Sequence, residues 1–264
     1  MSETNGKKKT ALVTGASAGL GKELASLFAK DGHDVVLVAR SESKLRTLAD
    51  DLAKAHEIKA HVVTADLGEA GAAAHVFEET RKKGIAVDFL VNNAGFGSNG
   101  AFLDLDLARE KEMIAVNCTA LLELTHRFAG PMRDRKFGRI LNIASTAGFQ
   151  PGPFMATYYA SKAFVVSFSE ALSYELDGSG VTVTCHCPGA TATDFATTAG
   201  NDKTKLFQRS GVADAKEVAH HAYRAMMSGD VISVHGVLNW IGWQSLRFSP
   251  RAVVRSIAAN LNKS

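Results

Sequence analysis

"TALVTGASAGLGKELASLFAK" occupies residues 10–30 and passes through three kinds of local structure in one short stretch. An apolar, β-branched run at 10–14 reads as a buried strand. Gly15, Gly19 and Gly21 follow in the pattern G-x-x-x-G-x-G, and an amphipathic helical pattern takes over at once. Glycines there allow a tight turn, close approach of backbone to a pyrophosphate, and contact between helix and sheet. The new helix brings unpaired N–H groups and the positive end of its dipole to the same spot. A glycine triplet alone is a weak signal; set between a strand and a helix, it predicts a nucleotide-binding turn.

The rest of the chain repeats that alternation. Further apolar runs lie at 34–39, 60–65, 88–93, 139–145, 181–187 and 230–234. Helical patterns fall at 19–31, 42–56, 70–84, 106–134, 157–177 and 214–228. Strands that are apolar on both faces belong in a parallel sheet covered by helices on both sides. We expect an α/β fold, one doubly wound parallel sheet of about seven strands with right-handed crossovers. No repeat or linker divides the chain, so residues 1–264 read as a single domain with a flexible tail at 1–8 and a helical extension at 236–264. Residues 189–212 are small and weakly patterned and start at the carboxyl end of a strand, which reads as a substrate lid.

Composition narrows the function classes. A chain of 264 residues with 46% apolar and 22% charged content is globular rather than disordered. Net charge is +3, part of it from Lys7-Lys8-Lys9, and no second basic cluster supports a nucleic-acid partner. No stretch reaches 18 uninterrupted apolar residues and the N-terminus lacks an apolar core region, so neither a membrane span nor a secretory signal is expected. Cys118, Cys185 and Cys187 form no disulfide framework, which points to a reducing, cytoplasmic setting. A metal is not expected, because Cys185 and Cys187 alternate with His186 along a strand and the three do not converge.

Other strand ends carry polar groups suited to a ligand. After the second run stand Ala39 and Arg40, where NAD-binding sheets commonly place a carboxylate for the ribose 2′-hydroxyl. Without that carboxylate a 2′-phosphate is not repelled, and Arg40 can grip it bidentately. We therefore expect NADP(H) rather than NAD. Asp66 ends the third run, as an adenine contact or as a cap for the next helix. "FLVNNAGFG" ends the fourth in amides and glycines and puts Asn93 and Gly95 in the cleft. Asn117 lies inside a mostly apolar helix and needs partners there; Ser145 stands at the end of the fifth run.

"TYYASK", residues 157–162, sets Lys162 four residues after Tyr158 and three after Tyr159, on a helix where either side chain can meet it. A free phenol titrates near 10, too high for acid–base work at neutral pH. A nearby ammonium favours phenolate and lowers that value, which would make a tyrosine able to protonate a carbonyl or deprotonate an alcohol. Spacing alone does not choose the tyrosine.

"TGASAGLG" at 14–21, "NNAG" at 92–95, Asn117, Ser145, "YYASK" at 158–162 and "PG" at 188–189 together resemble the short-chain dehydrogenase/reductase family, a Rossmann-like fold, over about residues 8–235. The resemblance implies a Tyr-x-x-x-Lys pair, which selects Tyr158 as catalytic acid, with Ser145 on the substrate oxygen. It implies that Lys162 binds the nicotinamide ribose and depresses the Tyr158 pKa, and that Asn117 holds a relay water. It places Gly15, Ser17, Gly19 and Leu20 around the phosphates and ribose, and Arg40 on the 2′-phosphate. Asp66 and Leu67 are implied at the adenine and Asn93 behind the ribose. Pro188, Gly189, Thr191 and Thr193 are implied at the nicotinamide. Ala18 stands where many NADP-preferring members have a basic residue, so preference hangs mainly on Arg40.

The implied reaction is reduction of a ketone or aldehyde by hydride transfer. A nucleotide-sensing protein without turnover and an NAD-dependent alcohol dehydrogenase are the alternatives. Phe96, Phe102, Phe149, Phe154, Met155 and Phe195 suggest a hydrophobic or aromatic carbonyl or alcohol substrate. The extension, with Trp240, Trp243, Leu246 and Phe248 and a break at Pro250, is expected to serve as a lid or subunit contact rather than a membrane surface. Family likeness implies a homodimer or homotetramer.

Overall fold

Seven parallel strands in the order β3-β2-β1-β4-β5-β6-β7 form the centre of the computed structural model. The structure describes residues 8–193, 199, 200, 204 and 212–263; the tail before Lys8 and most of the expected lid, Phe195 included, lie outside the described residues. The strands are β1 (Thr10–Thr14), β2 (Asp34–Ala39), β3 (Ala60–Thr64), β4 (Phe89–Asn92), β5 (Gly138–Ile143), β6 (Val181–Cys187) and β7 (Ile232–Val234). Every pairing is parallel, from Thr14 opposite Val38 to Cys187 opposite Val234. The expected doubly wound sheet is the fold found.

Helices cover both faces, which is why β2, DVVLVA, buries four consecutive residues. On one face α1 (Gly19–Lys30), α2 (Glu42–His56) and α7 (Ala215–Ser228) pack Phe28, Leu24, Leu45 and Met226 against Val13 and Leu37. On the other, α3 (Ala72–Lys82), α5 (Leu121–Asp134) and α6 (Ala156–Glu175) pack Val76, Leu124, Phe128 and Leu172 against Leu12, Leu90 and Ile140. Each fully buried leucine or phenylalanine contributes about 1.5–3 kcal/mol relative to an exposed one. Chain order leaves β3 at one edge and restarts at β4, beside β1, so the strand ends Thr14 and Asn92 flank the point where the winding reverses. Ligands of such sheets sit in the crevice outside the carboxyl ends at that point.

Two local differences from expectation matter. The helix expected over 106–134 is α4 (Leu107–Ile114), a π-helical turn at Ala115–Ala120, and α5. Such wide turns inside α-helices frequently sit at functional sites, and this one carries Asn117. β5 ends at Ile143, two residues early, because Ser145 has left the sheet to open a 3₁₀ turn at Thr146–Phe149. The extension forms α8 (Val237–Ser245) and α9 (Arg251–Asn262), broken at Pro250 as expected. Two-residue strands at Thr191–Ala192 and Ala213–Asp214 pair with each other and tie the ends of the lid segment together.

Candidate active site

The turn after β1 is shaped by close approach. Gly15 adopts φ +66°, and a Cβ on Gly21 would stand 2.3 Å from the Gly15 carbonyl oxygen and 2.6 Å from the Asn93 amide nitrogen. Asn93 donates that amide to the Thr14 carbonyl at 2.9 Å, while Thr14 Oγ1 accepts from the Asn93 and Ala94 N–H groups at 2.9 and 3.0 Å. The ends of β1 and β4 are thus stitched together beneath the loop. Among the described residues no side chain caps α1 at Ala18, and its first turn holds no acidic residue. An N-terminus of this kind suits an anion.

A cleft of about 570 Å³ runs over this point. Gly15, Ser17, Gly19 and Leu20 line its middle, and Arg40, Asp66 and Leu67 line one end. Asn93, Gly95, Ser145, Tyr158 and Lys162 line the other, with Pro188, Gly189, Thr191 and Thr193 across from them. Thr193 packs on Gly19, where a Cβ would lie 3.2 Å from its side chain. All these expected positions therefore converge. The donor set fits a dinucleotide: an uncapped helix end for the pyrophosphate, a cation for a 2′-phosphate, and hydroxyl groups beside a lysine.

Ser145 and Tyr158 share a hydrogen bond between their hydroxyls. Ser145 Oγ also accepts from Ala147 N at 3.1 Å, and the Pro188 carbonyl lies 3.4 Å from it. Lys162 Nζ lies 5.8 Å from the Tyr158 ring centre and donates to the Ile143 carbonyl at 2.8 Å. A carbonyl oxygen placed between the Ser145 and Tyr158 hydroxyls would meet two donors, one of them able to transfer its proton.

The family model described as short chain dehydrogenase matches residues 9–204. The chain belongs to that family. The ketoacyl reductase HetN of Nostoc sp. is 34% identical over 218 residues, covering 83% of this chain and 75% of that protein. A very-long-chain 3-oxoacyl-CoA reductase of Pyricularia oryzae is 41% identical over 67% of this chain, which spans only 55% of that protein. A short-chain dehydrogenase from Sphingobium yanoikuyae in complex with NADPH superposes with TM-score 0.81 at 32% identity, over 91% of this chain and 94% of that one. Short-chain dehydrogenase membership makes this protein an oxidoreductase of NAD(P)(H).

Electrostatics at the pair differ from the sequence expectation. Burial pushes the Tyr158 phenol up, opposed by its bond to Ser145, so the net direction is upward rather than downward. The physical reason is desolvation of the phenol, while the ammonium is bonded to the Ile143 carbonyl. Burial also pulls Lys162 down to about 8, partly opposed by Cys118, Cys185 and Cys187.

Asn117 does not line the cleft. Its amide donates to the Phe96 carbonyl and Ser161 Oγ, both at 3.0 Å, and accepts from Phe96 N at 3.1 Å. The Asn117 side chain clamps the segment after β4, and Gly95 sits where a Cβ would be 2.9 Å from it. Asp66 accepts from Gly68 N at 2.9 Å, and α3 has Gly71 at its N-cap, so Asp66 caps a turn rather than that helix. His186 faces away from the cysteines, with Ser233 Oγ 3.2 Å from its Nδ1, while Cys185 and Cys187 Sγ lie 3.8 Å apart. Among the described residues no group of three or more His, Cys, Asp or Glu is arranged to hold a metal.

Sequence reasoning missed Ser41, Lys44 and Glu112 at the Arg40 end, and Gln150, Asn239 and Leu261 at the other. Lys44 had a local signal, a cation in the first turn of the helix after Arg40. Glu112 pairs with Arg40 at 3.6 Å, as Asp66 does at 3.8 Å, from a helix far away in sequence. Asn239 and Leu261 reach the cleft from α8 and α9, and nothing in their own neighbourhoods announced it.

Proposed function

We propose that this protein is an NADPH-dependent reductase of hydrophobic or aromatic ketones and aldehydes, acting reversibly on the alcohols. The observation that carries the reading is the Ser145–Tyr158 hydroxyl pair beside Lys162, at one end of a cleft whose other end holds Arg40 and Lys44. The nicotinamide, when bound, supplies the hydride. Ser145 holds the substrate oxygen, and Tyr158 donates its proton to that oxygen as negative charge develops. Lys162 holds the ribose hydroxyls, and Asn117 fixes Gly95 and Phe96 at the floor of the cleft. Pro188, Gly189, Thr191 and Thr193 keep the reactive ring in place. Arg40 and Lys44, with Ser41, take the 2′-phosphate as charge-assisted donors.

Phe96 and Met155 give the substrate end an apolar lining, and two similar proteins carry ketoacyl or 3-oxoacyl reductase names. Both support a carbonyl attached to an apolar chain or ring. Because Asp66 and Glu112 compete for Arg40, the preference for NADPH over NADH is graded. Assembly as a homodimer or homotetramer in the cytoplasm belongs to the same reading, and the exposed Leu107, Ile114, Leu122 and Phe164 along α4–α6 offer apolar surface for assembly.

Absorbance at 340 nm, followed with NADPH and NADH side by side across apolar and small charged carbonyls, tests the reading. Faster NADPH oxidation with an apolar ketone or aldehyde is expected. Turnover of small charged ketones alone overturns the substrate class, and cofactor binding without any turnover favours a nucleotide-sensing protein.

A further inference from the structure

We propose that the buried hydrogen bond between Tyr159 and Asn262 is a latch that holds α9 as one wall of the substrate cleft, so that Asn262 is a positioning residue for substrate selection. The inference deepens the reductase reading and depends on it only for the kind of molecule selected. Tyr159 donates its hydroxyl to Asn262 Oδ1 at 3.2 Å. Asn262 Nδ2 donates to the Pro153 carbonyl at 3.0 Å, and the Asn262 main-chain carbonyl accepts from Asn99 Nδ2 at 2.8 Å. One asparagine thus joins α6, the loop before it, and the loop after β4, the segments that border the substrate end of the cleft.

The surroundings make these bonds consequential. Asn262 is 0% exposed and Tyr159 6%, so polar groups freed there could not turn to water. Burial pushes the Tyr159 phenol up, which keeps it a donor across the working pH range. A Cβ on Gly152 would lie 2.3 Å from the Tyr159 ring, so the loop backbone rests flat on that ring. Gly100 N donates to the Phe154 carbonyl at 2.9 Å and ties the two loops to each other. Val254, Ala258 and Asn262 form the inward stripe of α9, while Val253 and Ile257 on its outer side are exposed. Among the described residues α9 has no broad packing interface with another helix or strand, so this stripe and the Asn262 bonds fasten it. Leu261, next to the latch, faces the cleft together with Met155 and Tyr159.

The paired tyrosines therefore divide two tasks. Tyr158 bonds to Ser145 and faces the chemistry; Tyr159 bonds to Asn262 and sets the shape of the space in which a substrate is chosen. Rupture of the latch frees α9 and Leu261 and enlarges the cleft without touching the Ser145–Tyr158 pair.

Tyr159→Phe and Asn262→Leu, singly and together, test the latch while conserving shape. Three readouts are compared with wild type: amide hydrogen exchange over 251–262, NADPH affinity, and kcat and KM for a bulky aryl ketone and a small aliphatic one. We expect faster exchange over 251–262, unchanged NADPH affinity, and a tenfold or larger shift in the bulky-to-small ratio of kcat/KM, carried by KM. The double variant should do no more than Asn262→Leu alone, because that change already removes the Tyr159 bond along with the one to Pro153. Unchanged exchange overturns the latch. Faster exchange with an unchanged substrate ratio overturns its role in selection, as does an equal fall in kcat for both ketones. If wild-type protein reduces no carbonyl, the reductase reading fails by itself; faster exchange in Tyr159→Phe then supports the latch, and unchanged exchange in that variant overturns it.

Discussion

Lys162 donates its ammonium to the main-chain carbonyl of Ile143 at 2.8 Å, anchoring a buried charge on α6 to the last residue of β5. Burial brings this lysine down to about 8, so its charge is full below that pH and lost above it. If the charged form is needed to hold cofactor and support Tyr158, kcat/KM for reduction is flat below about pH 8 and falls up to about tenfold per pH unit above it. A pH–rate profile of the free enzyme checks this, and the absence of any inflection near pH 8 would separate the Lys162 charge from turnover.

Tyr158→Phe removes the proton donor and its bond to Ser145 while keeping the ring. A loss of about 10²–10⁴ in kcat is expected, the usual contribution of a positioned acid. NADPH affinity, read by fluorescence titration, should stay within about threefold of wild type, because the interaction removed is made at the carbonyl rather than in the ground-state cofactor complex.

Arg40 is 69% exposed at its side chain and shared between Asp66 and Glu112. Arg40→Ala and Lys44→Ala should each weaken NADPH binding about tenfold or more and NADH binding far less, since a hydrogen bond to a charged group contributes about 1.5–3 kcal/mol. Glu112→Gln removes one competitor and should tighten NADPH selectively. Dissociation constants for both cofactors decide it; equal effects on both would place the phosphate contact elsewhere.

Gly21→Ala would drive a methyl to 2.3 Å from the Gly15 carbonyl oxygen, a backbone atom that cannot swing aside. Overpacking of this kind costs about 1–3 kcal/mol. Thermal unfolding should shift down, with loss of affinity for NADPH and NADH alike, because both share the pyrophosphate turn. A variant of unchanged stability and affinity would contradict the close approach.

His186 is buried, its Nε2 has no hydrogen-bond partner among the described residues, and burial together with His221 and His235 pulls its pKa down to about 3. The unfolded chain takes up a proton near pH 6.5, whereas the folded protein resists until about pH 3. Folding stability therefore falls as pH drops through that window, by up to about 1.4 kcal/mol per pH unit. Urea unfolding at stepped pH should show the slope, and His186→Asn should flatten it. An identical acid limb in the variant would move the effect to other groups.

Much of this architecture was legible before any coordinate. Runs such as "DVVLVA" are apolar on both faces, which only a doubly covered parallel strand tolerates, and the glycine turn after β1 could be read from its place between strand and helix. The residues implied at the cofactor cleft, most at strand ends, in loops or at the start of α1 and two on α6, converged there except for Asn117. That buried amide read either as a packing residue or as a polar element of the site. Its amide bonds Phe96 and Ser161 from a π-helical turn, outside the cleft lining, which is the packing reading.

The sequence by itself determined the order of strands and helices, the glycine turn after β1 and the helical spacing that sets Tyr158 and Tyr159 near Lys162. These rest on local periodicity and on residues within a few positions of one another. Only the tertiary structure decided which way Lys162 points, which carboxylates compete for Arg40, and what Tyr159 does. Each is a contact between segments distant along the chain, 103 residues in the case of Tyr159 and Asn262, and a partner across such a gap leaves no trace in the local pattern of either residue.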